Sequence, residues 1–154
     1  MKFLTLNTHS WMEKEAEEKF QLLLQDILDK DYDLICFQEI NQEMTSPEVE
    51  VNNHYQALPS AEPIHQDHYV RLLVEKMSEK GKNYYWTWAY NHIGYDRYHE
   101  GVAILSKTPI KAREILVSDV DDPTDYHTRR VALAWTEVEG KELALASVHL
   151  SWWD

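Results

Sequence analysis

Four polar residues border apolar segments at points where strands of a sheet would end. Asn7 follows FLTL, and Glu39 follows LICFQ. Glu100 precedes GVAILS, and His149 lies within ASVHL. Ligands of layered α/β folds bind where strand ends and their loops meet over a sheet edge. A carboxylate mounted there suits a hard cation such as Mg²⁺, and a histidine beside a second carboxylate can serve as a general acid or base.

Each of these residues also has a simpler explanation. Glu39 alone is typical of a helix-capping residue or a solvated loop acid, and His149 alone is typical of a hydrogen-bonded strand histidine. The four residues together, in this order, favour a site. The HQDH segment contains His65 and His68 at a spacing that can bind zinc on a helix. No cysteine or third ligand accompanies them, so we expect surface histidines at a helix start.

Hydrophobic periodicity predicts the elements that would hold these residues. Residues 2–7 form a first strand, and Ser10 with Glu13 makes a capping-box pattern for a helix that fades by Lys30. A second strand at DLICFQ completes a βαβ-like unit. Residues 41–67 lose periodicity and predict a long loop, followed by a helix over 66–80. Further strands are expected at residues 84–90 and 101–106, and a strand at 112–118 is expected to pair with 101–106. Residues 129–138 and 141–150 predict a hairpin that turns at Glu139–Gly140.

Composition bounds the classes of function. The 154 residues are 44% apolar, enough for one domain spanning residues 1–154. The formal net charge of −12 repels polyanions and makes tight, non-specific binding of nucleic acid unfavourable. No apolar run is long enough to span a bilayer, and the start is no signal peptide. The single Cys36 cannot form an internal disulfide, which suits a cytoplasmic location.

Five segments resemble successive motifs of the endonuclease/exonuclease/phosphatase superfamily. They are TLNTHSW, DLICFQEI, EGVAILSKTPI, TRRVALAW and SVHLSWW. The resemblance implies an α/β fold, the N-terminal half of a four-layer α/β/β/α sandwich with two packed mixed β-sheets and outer helices. It also implies hydrolysis of a phosphate ester by water, assisted by Mg²⁺ or Mn²⁺.

The resemblance assigns roles to the four polar residues. It makes Glu39 the metal-binding glutamate and Asn7 the asparagine that supports the metal and the phosphate. Glu100 and His149 would form a pair near the scissile phosphate that shuttles a proton or binds an oxygen. The physical chemistry agrees, because phosphoryl transfer needs neutralised oxygens and an oriented water.

Substrate contacts are expected on two further segments. An arginine fork suits phosphate oxygens, and Arg130, with Arg129 as the second choice, would approach the phosphate. Tyr95 and His92 lie in an aromatic, polar stretch before Glu100 that suits a sugar ring, a nucleotide base or simple packing. NHIGYDRY and DYHTRR resemble a Gram-positive subgroup that includes a maltose 6′-phosphate phosphatase. We therefore expect the substrate to be a small phosphorylated sugar of the disaccharide-phosphate kind, with nuclease activity as the alternative. No membrane partner is expected.

The family's later motifs, an Asp-x-Asn and a terminal Asp-His, have no counterpart here. The sequence closes on Trp152, Trp153 and Asp154, and we expect a domain that is incomplete at its C-terminus. A fragment, a split protein completed by another chain, and a half-domain serving only as a binding or assembly module are the three interpretations. In the first two, a missing C-terminal half completes the site.

Overall fold

The computed structural model describes residues 1–152 and consists of a helical layer and two sheets. The helices are α1 (Ala16–Lys30) and α2 (Tyr69–Glu79), and a 3₁₀ turn covers Ser10–Met12. The five-stranded sheet has the order β1-β2-β5-β4-β3, and the three-stranded sheet has the order β6-β7-β8. The strands are β1 (Phe3–Asn7), β2 (Leu34–Glu43), β3 (Tyr55–Gln56), β4 (Tyr85–Gly94), β5 (Tyr98–Ser106), β6 (Lys111–Leu116), β7 (Arg130–Val138) and β8 (Lys141–Ser147).

Two apolar layers hold these elements together. The first lies between the helices and the five-stranded sheet and includes Phe20, Leu73 and Trp88. The second lies between the two sheets, where Ala132 and Ala134 of β7 pack against the larger side chains of β2 and β5. Because successive strand residues face opposite sides, each central strand contributes to both layers. The predicted α/β fold with two packed sheets and outer helices is confirmed.

Local signals correctly predicted the first strand, the βαβ-like unit and the hairpin. β1 pairs in parallel with β2 across α1. β7 and β8 are joined at Glu139 and Gly140, whose φ angles of 52° and 76° match a two-residue hairpin turn with both residues left-handed.

The capping-box prediction is wrong. α1 begins only at Ala16, and its N-cap residue Glu15 has a φ of 58° and makes no side-chain capping bond. Ser10 is buried instead, and its hydroxyl donates to the backbone carbonyl of Glu39 at 2.6 Å. A buried carbonyl without a partner is costly, so the hydroxyl serves β2 rather than the helix.

The predicted pairing of residues 112–118 with 101–106 is also wrong. β6 pairs with β7, with Ala112 opposite Ala134. β5 already has β2 on one side and β4 on the other, and therefore offers no edge to a further strand. β2 and β5 are also longer than predicted, so Glu39 and Glu100 lie within strands, whereas His149 follows the end of β8.

The expectation of surface histidines in HQDH is wrong as well. His65 and His68 are both buried. His68 caps α2, since its Nδ1 accepts a hydrogen bond from the Arg71 backbone N–H at 3.3 Å, and its ring meets the Trp88 ring edge-on. Within residues 1–152 no three His, Cys, Asp or Glu side chains are grouped to hold a metal ion. These histidines are therefore structural.

We expect the free energy of unfolding to fall as the pH decreases from about 6.5 towards 3. Burial lowers the pKa of His68 from 6.5 to about 3 and also lowers the pKa of His99. The unfolded chain binds more protons than the folded protein in this window, so stability is lost as the pH falls. Across the complete pH window, protonation of His68 alone lowers the free energy of unfolding by on the order of 5 kcal/mol. Urea unfolding at a series of pH values measures this. A His68→Asn variant keeps a capping acceptor but cannot titrate, and a pH dependence identical to that of the wild type would contradict the assignment.

Neither helix among the described residues is long and apolar enough to cross a membrane.

Candidate functional site

A cavity of about 430 Å³ opens where β2, β4, β5 and the segment after β8 meet. We call it the site cavity. Six of the eight residues expected at the site line it, and they are Glu39, His92, Tyr95, Glu100, Arg129 and His149. Asn7 and Arg130 do not belong to its lining. The tertiary structure thus gathers carboxylates, imidazoles and one guanidinium from segments far apart in sequence.

Glu39 lies on a β-bulge of β2. The pairing of β2 with β5 shifts between Phe37 and Ile40, and Glu39 has a φ of 54°. Left-handed backbone is unfavourable for a residue with a Cβ, and such conformations concentrate at functional positions. A bulge also redirects a side chain away from the regular alternation of a strand. Here it brings the Glu39 carboxylate to the site cavity.

His149 faces Glu39. Its Nδ1 lies 3.3 Å from Arg129 Nη1, and its Nε2 lies 3.7 Å from Glu39 Oε1. A guanidinium only donates, so Nδ1 accepts and the neutral ring carries its hydrogen on Nε2. Burial, and then the nearby Arg129 charge, lowers the pKa of His149 below its ordinary value. The imidazole is therefore neutral at neutral pH and directs an N–H towards Glu39.

Glu100 does not form the expected pair with His149. Its Oε2 lies 3.3 Å from Nε2 of His92, the residue opposite it on β4. Both side chains are largely buried, with exposures of 11% and 5%. His92 Nδ1 in turn lies 3.3 Å from the Thr128 carbonyl oxygen. The pairing follows from strand register, which places cross-strand neighbours on the same face of the sheet.

Arg129, and not Arg130, is the arginine of the site cavity. Arg129 donates through Nε to the Tyr126 carbonyl and through Nη1 to the His149 carbonyl at 3.2 Å. Arg130 donates instead to the Tyr90 carbonyl at 3.0 Å and to Asp121 at 2.5 Å, so its guanidinium is occupied elsewhere. The structure thus places Arg129, the second choice, at the site cavity and Arg130 outside its lining.

Asn7 lies at the end of β1, beside Gln38 in the strand register. Its side chain is exposed, and Oδ1 accepts a hydrogen bond from the His9 backbone N–H at 3.1 Å. Gln38 directly precedes Glu39 on β2, but Asn7 itself does not line the site cavity.

Exposed aromatic rings surround the opening. Tyr95 is 73% exposed on the β4–β5 turn, where it and Asp96 have φ angles of 54° and 52°. Trp152 is 77% exposed, and its ring centroid lies 6.0 Å from that of Tyr126. Sequence reasoning assigned no site role to Tyr126 or Trp152. For Tyr126, the sequence signal that could have indicated a site role is an aromatic residue within the polar segment DYHT.

The donor set fits a hard cation better than zinc. Mg²⁺ is commonly bound through one or two carboxylates, with waters and substrate phosphate oxygens completing its shell. Glu39 supplies one such carboxylate at the cavity wall. A closed structural zinc site requires four protein ligands, and the described residues group no set of three.

The model of the Endonuclease/Exonuclease/phosphatase family matches residues 11–152 of the chain. A search of curated proteins found no match. Among solved structures, an endonuclease/exonuclease/phosphatase family protein from Leptotrichia buccalis C-1013-b is similar, with 29% identity and a TM-score of 0.84. That alignment covers 98% of this chain and 54% of the other, so this chain spans about half the length of that relative.

A second similar structure is an endonuclease/exonuclease/phosphatase from Beutenbergia cavernae DSM 12333. It has 13% identity and a TM-score of 0.62 over 97% of this chain and 37% of the other. At this identity the likeness supports the fold alone.

Proposed function

The chain belongs to the endonuclease/exonuclease/phosphatase family, whose members are generally hydrolytic enzymes that use divalent metals, and on this premise we propose a metal-dependent phosphatase of small phosphorylated sugars. The observation that carries the proposal is the site cavity, which brings Glu39, Glu100, Arg129 and His149 together. Since the chain spans about half the length of its structural relative, the remainder of the site is proposed to come from a further, C-terminal half.

The residues divide the work between binding and proton handling. Glu39 would hold Mg²⁺ or Mn²⁺, with Asn7 in support from the neighbouring strand β1. When bound, the cation supplies charge neutralisation at the phosphate oxygens. Arg129 is a donor-only group already at the cavity and would bind the phosphate. His149 carries a hydrogen on Nε2 at the cavity wall and would exchange a proton there, with Glu100 as the second titratable group.

The rim of the cavity supports a sugar as the substrate. Tyr95, Tyr126 and Trp152 offer exposed rings beside carboxylates and imidazoles, a combination of apolar and hydrogen-bonding groups that suits a polyol. The segments that resemble the maltose 6′-phosphate phosphatase subgroup, NHIGYDRY and DYHTRR, form part of this rim. Rings also stack on nucleic acid bases, which keeps a nuclease as the second candidate. The net charge of −12 disfavours a long polyanion as the substrate.

The single cysteine, Cys36, is buried and suits a cytoplasmic location.

Phosphate release tests the proposal. We expect the protein that carries this chain to release phosphate from sugar phosphates, including maltose 6′-phosphate, in Mg²⁺ and to stop when EDTA is added. His149→Ala should lower kcat about 100-fold, the usual scale for a lost acid–base group. His54→Ala is the matched control and should keep the activity, because His54 packs against Tyr85 outside the cavity lining. Plasmid nicking without phosphate release would favour the nuclease, and a folded protein without either activity would favour a binding module.

A further inference from the structure

Two buried serine hydroxyls bond the backbone of the β2 bulge that carries Glu39. Ser10, which follows β1, donates to the Glu39 carbonyl at 2.6 Å. Ser147, the last residue of β8, donates to the Phe37 carbonyl at 2.9 Å. Both serines are fully buried, so these bonds are shielded from competing solvent. Because β8 belongs to the three-stranded sheet, Ser147 reaches the bulge from the other sheet.

A second hydrogen bond joins Ser147 to the side chain of Gln38. Gln38 Nε2 lies 3.2 Å from Ser147 Oγ. The Phe37 carbonyl only accepts, so the single hydroxyl hydrogen of Ser147 is directed to that carbonyl. The hydroxyl oxygen then accepts from the Gln38 amide. Ser147 therefore holds the two residues that directly precede Glu39.

This link lies beside the contact between Glu39 and His149. Ser147 comes two residues before His149, as Gln38 comes one residue before Glu39. Within residues 1–152, β2 and β8 belong to different sheets, so no ladder of backbone hydrogen bonds sets their separation. Glu39 Oε1 and His149 Nε2 nevertheless lie 3.7 Å apart. The two hydrogen bonds of Ser147 are the polar connection between the sheets at this point.

The conformation of Glu39 needs such support. Its φ of 54° is unfavourable for a residue with a Cβ and persists only where the surrounding structure determines it. A serine that only satisfied a buried carbonyl would contribute to the stability of the whole domain. A serine that fixes the bulge would also determine where the Glu39 carboxylate lies.

We propose that Ser147 is a positioning residue, which fixes the β2 bulge against β8 through Phe37 and Gln38 and thereby sets Glu39 opposite His149. The binding of a cation by Glu39 rests on the proposed function, whereas the link between the sheets does not.

Amide hydrogen exchange tests the link without metal or substrate. In Ser147→Ala the Phe37 carbonyl loses its hydroxyl donor, and we expect the exchange of residues 38–40 to become about tenfold faster. Ser106→Ala is the matched control, because it removes an equally buried strand hydroxyl that bonds Thr108. It should leave the exchange of residues 38–40 unchanged. Unchanged exchange in Ser147→Ala, or equal acceleration in both variants, would overturn the proposal.

Calorimetric titration with Mn²⁺ measures the consequence for Glu39. Loss of a residue that orients a metal ligand costs about 10- to 100-fold in metal affinity, so Ser147→Ala should weaken Mn²⁺ binding at least about tenfold. Ser106→Ala should keep the affinity of the wild type. If Ser147→Ala binds Mn²⁺ as the wild type does, Ser147 has no positioning role. If the wild type itself binds no Mn²⁺ while the exchange result holds, only the proposed function fails.

Gln38→Met tests the same link at a half-buried residue, where the fold tolerates substitution more readily. Methionine keeps the length of the side chain but removes the amide donor, and we expect Mn²⁺ binding to weaken severalfold. The double variant with Ser147→Ala should lose no more affinity than Ser147→Ala alone, since the Gln38 amide then has no hydroxyl to bond. Losses that add in full would show that Gln38 acts independently of Ser147 and would contradict the proposal.

Discussion

Replacing Glu39 by asparagine is expected to lower phosphate-ester hydrolysis about a thousandfold without lowering the melting temperature. A bound cation contributes several kcal/mol of charge stabilisation to phosphoryl chemistry, and each 1.36 kcal/mol is about tenfold in rate. Asparagine supplies no carboxylate charge to hold that cation. Steady-state hydrolysis in Mg²⁺, together with calorimetric titration of the chain with Mn²⁺, measures both losses.

The expected melting temperature of Glu39→Asn follows from the backbone conformation at this residue. Glu39 occupies a φ of 54°, which costs an ordinary L-residue about 1 kcal/mol, whereas asparagine tolerates the left-handed region. A side chain chosen for stability alone would be Asn or Gly at this bulge. We therefore expect Glu39→Asn to melt at the wild-type temperature or a few degrees above it.

Glu43→Asn provides the matched control. It removes a carboxylate from the same strand, but Glu43 pairs with Arg97 outside the cavity lining. Its activity should remain within a few-fold of the wild type, as for other exposed ion pairs, which contribute little. Full activity and unchanged Mn²⁺ binding in Glu39→Asn would remove Glu39 from the metal site.

Substitution of Arg129 should lower the activity, whereas substitution of the adjacent Arg130 should lower the stability. Arg129→Gln is expected to lower kcat/KM about 100-fold, because it removes the charged donor at the site cavity. Arg130→Gln should leave kcat/KM within a few-fold but reduce the stability by about 1–3 kcal/mol. Arg130 donates to the Tyr90 carbonyl and pairs with Asp121, and losing the guanidinium leaves a part-buried acceptor without its partner.

Kinetics and chemical unfolding of the two variants decide the assignment. Arg129→Lys refines the test, since lysine keeps the charge but loses the fork that also reaches Tyr126 and His149. We expect partial recovery of kcat/KM in Arg129→Lys relative to Arg129→Gln. If Arg130→Gln is the variant that loses activity at unchanged stability, the phosphate contact returns to Arg130.

Much of the fold could be predicted from local sequence because the controlling interactions are local. The alternation of apolar residues marked β1, β4 and β7, and helical spacing marked α1 and α2. Glu139–Gly140 predicted the hairpin through the turn conformation it favours. The family motifs also pointed to four of the residues that line the site cavity, which are Glu39, Glu100, Arg129 and His149.

The pairings within the fold and the site were decided by tertiary structure. β6 pairs with β7 because β5 has no remaining edge. The sequence of residues 112–118 alone cannot show that both edges of β5 are already paired. Glu39 reaches the cavity through a bulge at a residue without the usual glycine signal. Glu100 meets His92 because strand register places them opposite each other, while His149 is drawn to Arg129 and Glu39. Residue types and their order follow from sequence, but hydrogen-bond partners depend on register, bulges and edge occupancy, which arise only when separate strands pack together.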